Sequence, residues 1–121
     1  MKVTVRITKN FKAEVKPLLK KFKSLSKDLL MLEKELIKDP RLGVPLGNDC
    51  YKIRLKITSK GKGKSGGARV IPLVENEIIG IAEVQEGEEI SILFLSIYDK
   101  TEVGTISNRE LRELIKVYKR K

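Results

Sequence analysis

In residues 51–71, YKIRLKITSKGKGKSGGARVI, apolar and basic side chains alternate and then give way to a loop of glycine and lysine. Tyr51, Ile53, Leu55 and Ile57 fall on one side of an extended chain, and Lys52, Arg54, Lys56 and Thr58 on the other. A period of two in β-branched and aromatic residues predicts a strand with one buried face. Ser59 to Gly67 is rich in glycine and predicts a hairpin connection. The chain from Ala68 to Val74 then returns as a third strand, which places Arg69 across from the end of the strand bearing Arg54 and Lys56. Pro72 removes one ladder donor and predicts an edge or a bend there.

Downstream, Ile78 to Val84 reads as a fourth extended stretch and Glu86-Gly87-Glu88 as a turn. Ile90 to Tyr98 is apolar almost throughout, which suits a central strand covered on both faces. Ser107 with Glu110 forms a capping box, and Leu111, Leu114, Ile115 and Tyr118 give the helix behind it an apolar stripe. Upstream, Val3, Val5 and Ile7 mark a first strand. Phe11, Val15, Leu18, Leu19 and Phe22 mark a helix, which either kinks at Pro17 or begins near Lys16 with Pro17 in its first turn. Leu25, Leu29, Leu32 and Leu36 mark a second helix, with Ser26 as its cap, Leu25 stapled onto Leu30, and a stop near Lys38 before Pro40. Gly43, Pro45 and Gly47 read as a loop. The order is β-α-α-β-β-β-β-α: one α+β domain over residues 1–121, with a mainly antiparallel sheet, an N-terminal αα-hairpin and a C-terminal helix.

The chain has 121 residues, 35% of them charged, with a net charge of +10, no histidine and one cysteine. These counts exclude an intrachain disulfide, a Cys/His zinc site and any acid–base scheme built on imidazole. No apolar run is long enough to span a bilayer, and the N-terminus lacks the apolar core of a signal peptide, so a cytoplasmic chain with no membrane partner is expected. The charge is uneven. Residues 51–70 carry seven bases and no acid, whereas residues 71–98 carry six glutamates and no base. Such a division suggests a polyanionic partner met on one side, nucleic acid first and an acidic protein second. A solvated basic surface would have the same composition.

Gly63-Lys64-Ser65 is not a nucleotide-binding loop: Thr58 stands where that motif needs glycine, and a strand follows instead of a helix. Lys60, Lys62 and Lys64 read instead either as a bland loop tip or as a finger touching phosphates. Lys52, Arg54 and Lys56 project from one strand face with Arg69 close by, and like charges so gathered cost stability unless an anion joins them. Tyr98-Asp99-Lys100 ends the longest apolar strand, where a rigid element runs into a loop. Cys50 reads as a small buried hydrophobe. The glutamates from Glu75 to Glu89 repeat no metal-ligand spacing, so neither a metal nor a cofactor is expected.

Three runs carry a resemblance: Asp49-Cys50-Tyr51-Lys52-Ile53-Arg54, Gly63-Lys64-Ser65-Gly66-Gly67-Ala68-Arg69-Val70-Ile71, and Leu95-Ser96-Ile97-Tyr98-Asp99-Lys100. With Phe11 opening the helical pair and Pro40-Arg41-Leu42-Gly43 closing it, nearly the whole chain resembles the RelE/ParE superfamily of type II toxins, most of all its RelE and HigB-type branch. The resemblance implies a toxin silenced by a cognate antitoxin protein. It also implies an endoribonuclease that cuts messenger RNA, usually on the ribosome, by attack of a ribose 2′-hydroxyl on the adjacent phosphate. Lys52 and Arg54 would orient that phosphate, with Lys52 as proton acceptor. Arg69 would hold the developing charge and Lys100 the leaving oxygen, while Lys56, Lys60, Lys62 and Lys64 would bind RNA and Tyr98 would stack on a base. The chain departs from the family pattern at Pro72, in the length of 75–88, and at Ile106, where a tyrosine is expected. Two other readings stay open: a gyrase inhibitor of the ParE type without nuclease activity, and a non-catalytic RNA-binding protein.

Overall fold

The computed structural model describes residues 2–61, 66–77, 89–101 and 106–119. Its elements are β1 (Lys2–Ile7), α1 (Lys9–Lys21), α2 (Leu25–Lys38), β2 (Val44–Gly47), β3 (Cys50–Leu55), a 3-10 turn at Thr58–Lys60, β4 (Ala68–Glu77), β5 (Glu89–Asp99) and α3 (Asn108–Lys119). The strands form one sheet in the order β1-β5-β4-β3-β2. Among the described strands only β1 and β5 run parallel; the other neighbours are antiparallel. The domain is therefore α+β with a mainly antiparallel sheet.

One strand lies where a loop was expected. Val44 to Gly47 pairs with β3 through a two-residue turn, Asn48-Asp49, in which both residues have positive φ, 54° and 62°. Two left-handed residues between paired positions make a type I′ hairpin, whose twist matches that of the strands. Pro45 is tolerated because β2 is a sheet edge. The expected strand 78–84 and the turn at 86–88 lie outside the described residues.

β4 pairs with β5 from Ala68 opposite Asp99 to Glu77 opposite Glu89, and its register slips once, between Ile71 and Pro72. Leu95 is the extra residue, a bulge in β5 opposite the proline. Pro72 thus sits in a central strand, where the bulge absorbs its missing donor. The bulge also resets which side chains face which side. Before it, Ile90, Ile92 and Phe94 join the core beneath the helical pair; beyond it Ile97 returns to that core, and Tyr98 joins the opposite one.

The first core packs Phe11, Val15, Leu18, Leu25, Leu32 and Leu36 of α1 and α2 onto the sheet, with the Phe11 and Phe94 rings 5.2 Å apart. The second places Leu111 of α3 over Cys50, Ile71, Leu73, Leu93 and Leu95. Cover on both faces explains the apolar run of β5. Thr8 caps α1, its side chain accepting from the Phe11 N–H, so this helix starts well before Lys16 and carries Pro17 inside it. α2 starts at Leu25 behind Ser24, not behind Ser26, and Leu30 points to solvent, so the expected staple does not form. Leu25 is wholly buried beneath the helix instead. The Ser107–Glu110 box forms as expected, the Glu110 N–H donating to Ser107 Oγ at 3.1 Å.

Candidate functional site

The outward face of β3 keeps the alternation read from its sequence. Ile53, Leu55 and Ile57 are buried, Lys52 is half-buried, and Arg54 and Lys56 are exposed. Arg54 lies directly opposite Arg69 on β4, and Arg69 directly opposite Tyr98 on β5. Neighbours of this kind have Cβ atoms about 4.5–5.5 Å apart. A row of Arg54, Arg69 and Tyr98 therefore crosses three strands on the side of the sheet that α3 covers, with Lys52 two residues along β3 on the same face. Arg69 is only 4% exposed, and its Nη1 donates to the Ala68 carbonyl at 3.1 Å. Burial, and then the Arg54 guanidinium, pull its pKa below the ordinary arginine range against an opposing pull from Tyr98.

The loop after β3 is tied at its base. A Cβ on Gly67 would collide with the Leu55 carbonyl, so only glycine lets the returning chain come this close. The Gly67 carbonyl accepts from the Lys100 N–H at 3.1 Å, which places Lys100, half-buried, at the end of the same strand pair that holds Arg69. Asp28 of α2 accepts from the Thr58 N–H at 3.0 Å and from the Thr58 hydroxyl at 2.7 Å, anchoring the near end of the loop.

Lys60 does not point outward as part of a phosphate-touching finger. Its Nζ lies 2.8 Å from Asp99 Oδ1, 3.0 Å from the Gly66 carbonyl oxygen and 5.0 Å from the centre of the Phe22 ring. That is the helical-pair side of the sheet, opposite the arginine row. The reason is Asp99, a buried carboxylate that must have a cation or lose its charge. Burial pushes the Asp99 carboxyl up, but hydrogen bonds from Lys60 and Thr101 outweigh it and hold the group below the usual carboxylate range. Lys62 and Lys64 lie outside the described residues.

Tyr98 offers no open ring for stacking. It is 7% exposed, and its hydroxyl accepts from the Ile106 N–H at 3.3 Å. Beside it a cleft of about 400 Å³ opens between α1 and α3. Glu14 forms its floor, with Oε1 accepting from Asn10 Nδ2 and from Ser96 Oγ, each at 2.7 Å. Neither Asn10, Glu14 nor Ser96 was singled out from the sequence. The available signal was Ser96, a polar residue inside an otherwise apolar run. A second cleft, about 510 Å³, lies between α2 and the part of β3 that β2 does not cover, lined by Met31, Leu42, Val44, Lys52, Arg54 and Lys56. Burial, the Asp49 charge and an opposing Lys119 set the Cys50 thiol, which is pushed up to about 11; this is an inert thiol.

Among the described residues no helix is long and apolar enough to cross a membrane, and no three acidic or cysteine side chains gather as metal ligands. Neither a family model nor a curated protein matches the chain.

Proposed function

We propose that this chain is an endoribonuclease toxin of the RelE and HigB type, acting on messenger RNA at the ribosome and silenced by an antitoxin protein. The observation that carries the reading is the pairing of Arg54 with Arg69, two arginines at directly opposed positions of β3 and β4, one of them buried. Fixed donors beside a buried wall are what a phosphate needs when charge develops on its oxygens, and an arginine fork matches that geometry. Lys52 on the same face adds a third cation. The reaction is attack of the 2′-oxygen on phosphorus with departure of the 5′-oxygen, leaving a 2′,3′-cyclic phosphate and a 5′-hydroxyl. Arg54 and Lys52 hold the phosphate, and Arg69 takes up the developing charge. The antitoxin would bring carboxylates to the same row, since these relieve the repulsion among its cations.

The test is to map messenger RNA ends after brief induction of the protein, in parallel with cleavage by the purified protein on programmed ribosomes. Cyclic-phosphate ends that vanish in Arg54→Ala and Arg69→Ala support the reading. Growth arrest without such ends, and undiminished in those variants, refutes it and favours a protein target such as gyrase.

A further inference from the structure

Buried phenols ordinarily find a partner for both their oxygen and their proton. Tyr98 does so only by half. Among the described residues its hydroxyl accepts one hydrogen bond, from the Ile106 N–H, and its own proton has no acceptor. The ring is fixed by the second core, and the residue lines the cleft between α1 and α3. It is also the β5 neighbour of Arg69. A donor held rigidly, its proton unused among the described residues, stands one strand away from the proposed phosphate site.

We infer that Tyr98 is the proton donor to the leaving oxygen, an inference that rests on the ribonuclease reading above. A guanidinium is a charge-bearing hydrogen-bond donor and not a general acid near neutral pH. Lys52 stands two residues along β3 from Arg54, whereas Tyr98 flanks Arg69 from the β5 side, so the two approach the arginine pair from different strands. Attack and departure occur on opposite sides of phosphorus. The balance is as follows. The 2′-oxygen bonds to phosphorus and its proton passes to solvent water. The bond from phosphorus to the 5′-oxygen breaks, and that oxygen takes the Tyr98 proton. The phenolate regains a proton from water that enters the cleft as the product leaves. The Ile106 N–H, 3.3 Å from the phenol oxygen, supports the anion in the interval.

The test replaces the leaving oxygen by sulfur at the cleaved phosphate of a short messenger RNA presented on ribosomes, because a thiolate departs without a proton. Tyr98→Phe keeps the ring and removes only the hydroxyl. It should slow the oxygen ester by about 10²–10⁴-fold, the usual range for a general acid, and cleave the sulfur ester at nearly the parent rate. Arg69→Met should be slow on both. Should Tyr98→Phe disturb the fold, 3,5-difluorotyrosine at position 98 supplies the second measurement, and the alkaline limb of the rate profile should move to lower pH. Equal slowing of Tyr98→Phe on both esters, no slowing on either, or an unmoved limb would overturn the assignment. A parent protein that cleaves neither ester would instead overturn the ribonuclease reading itself, and this assignment with it.

Discussion

Arg69→Met removes the buried charge and keeps most of the stem, so it separates the electrostatics of the arginine pair from its packing. Directly opposed residues have Cβ atoms about 4.5–5.5 Å apart, and two like charges at about that separation repel by roughly 3 kcal/mol at an effective dielectric of about 20. Arg54 is exposed, so solvent and salt reduce this to about 1 kcal/mol. The stem of Arg69 packs with the second core at 4% exposure, and methionine fills a similar space. Burial, and then the Arg54 charge, lower the Arg69 guanidinium against an opposing pull from Tyr98. A base lowered in the fold destabilises the folded protein at every pH below its folded value. The cost is therefore present across the whole working range, and substitution rather than titration must reveal it. Arg69→Met should raise the thermal midpoint at low salt by about 3–6 °C, the shift that 1 kcal/mol produces in a domain of this size. Added salt should stabilise the parent more than the variant, and Arg54→Met should give a similar gain that does not add to the first. Cleavage should fall by about 10²–10³-fold. The assay is differential scanning calorimetry at two ionic strengths beside the cleavage assay. A midpoint lowered by several degrees, with the same salt response as the parent, would refute the repulsion argument. Undiminished cleavage would remove Arg69 from the site.

Asp99→Asn leaves Lys60 buried without its counter-charge and should cost about 3–5 kcal/mol by urea unfolding. Because the Asp99 carboxyl is lowered in the fold, its contribution is present above the unfolded carboxylate value and is lost as pH falls through the folded one. Acid unfolding of the parent should therefore be steeper than that of a Lys60→Met/Asp99→Leu variant. Cys50, a buried thiol set at about 11, should resist iodoacetamide at pH 8 until the protein is unfolded; rapid labelling of the folded chain would contradict the second core. Binding of RNA should weaken linearly with log salt, and removing Arg54 and Lys56 together should flatten the slope by about 1.5, since each phosphate contact contributes roughly 0.7–0.9.

The parts of the fold that a buried face disciplines were legible in the sequence. β3 alternates because Ile53, Leu55 and Ile57 meet the helical pair, and this alternation alone places Lys52 and Arg54 together and Arg69 opposite. β2 was not legible, because an edge strand of Val-Pro-Leu-Gly has the composition of a loop. Its only mark was Asn48-Asp49, two residues that tolerate positive φ. The start of α1 at Thr8 was obscured by Pro17, which draws the eye to the middle of the helix.

What the sequence could not supply was the face on which Ser96, Tyr98 and Asp99 lie. Side chains on a strand alternate, so one inserted residue exchanges the faces of everything beyond it. In a run as apolar as Ile90 to Tyr98 nothing marks the insertion, since either face of a doubly covered strand accepts either set. The mark is on the partner strand: Pro72 cannot donate to the ladder, and β5 bulges at Leu95 opposite it. Without the bulge Tyr98 would face the helical pair and Asp99 the arginine row, where a carboxylate would neutralise the site. With it, Asp99 turns away to hold Lys60, and Tyr98 joins Arg69. The divide between the lysine that pairs with Asp99 and the arginines on the opposite face thus follows from one proline. Pro72→Val, which restores the donor, should favour the unbulged register. It should lower stability and loosen the Lys60–Asp99 pair, seen as faster amide exchange at Thr101, whose N–H donates to Asp99 at 3.0 Å. Unchanged exchange at Thr101 would show that packing of β5, and not the proline, holds the bulge in place.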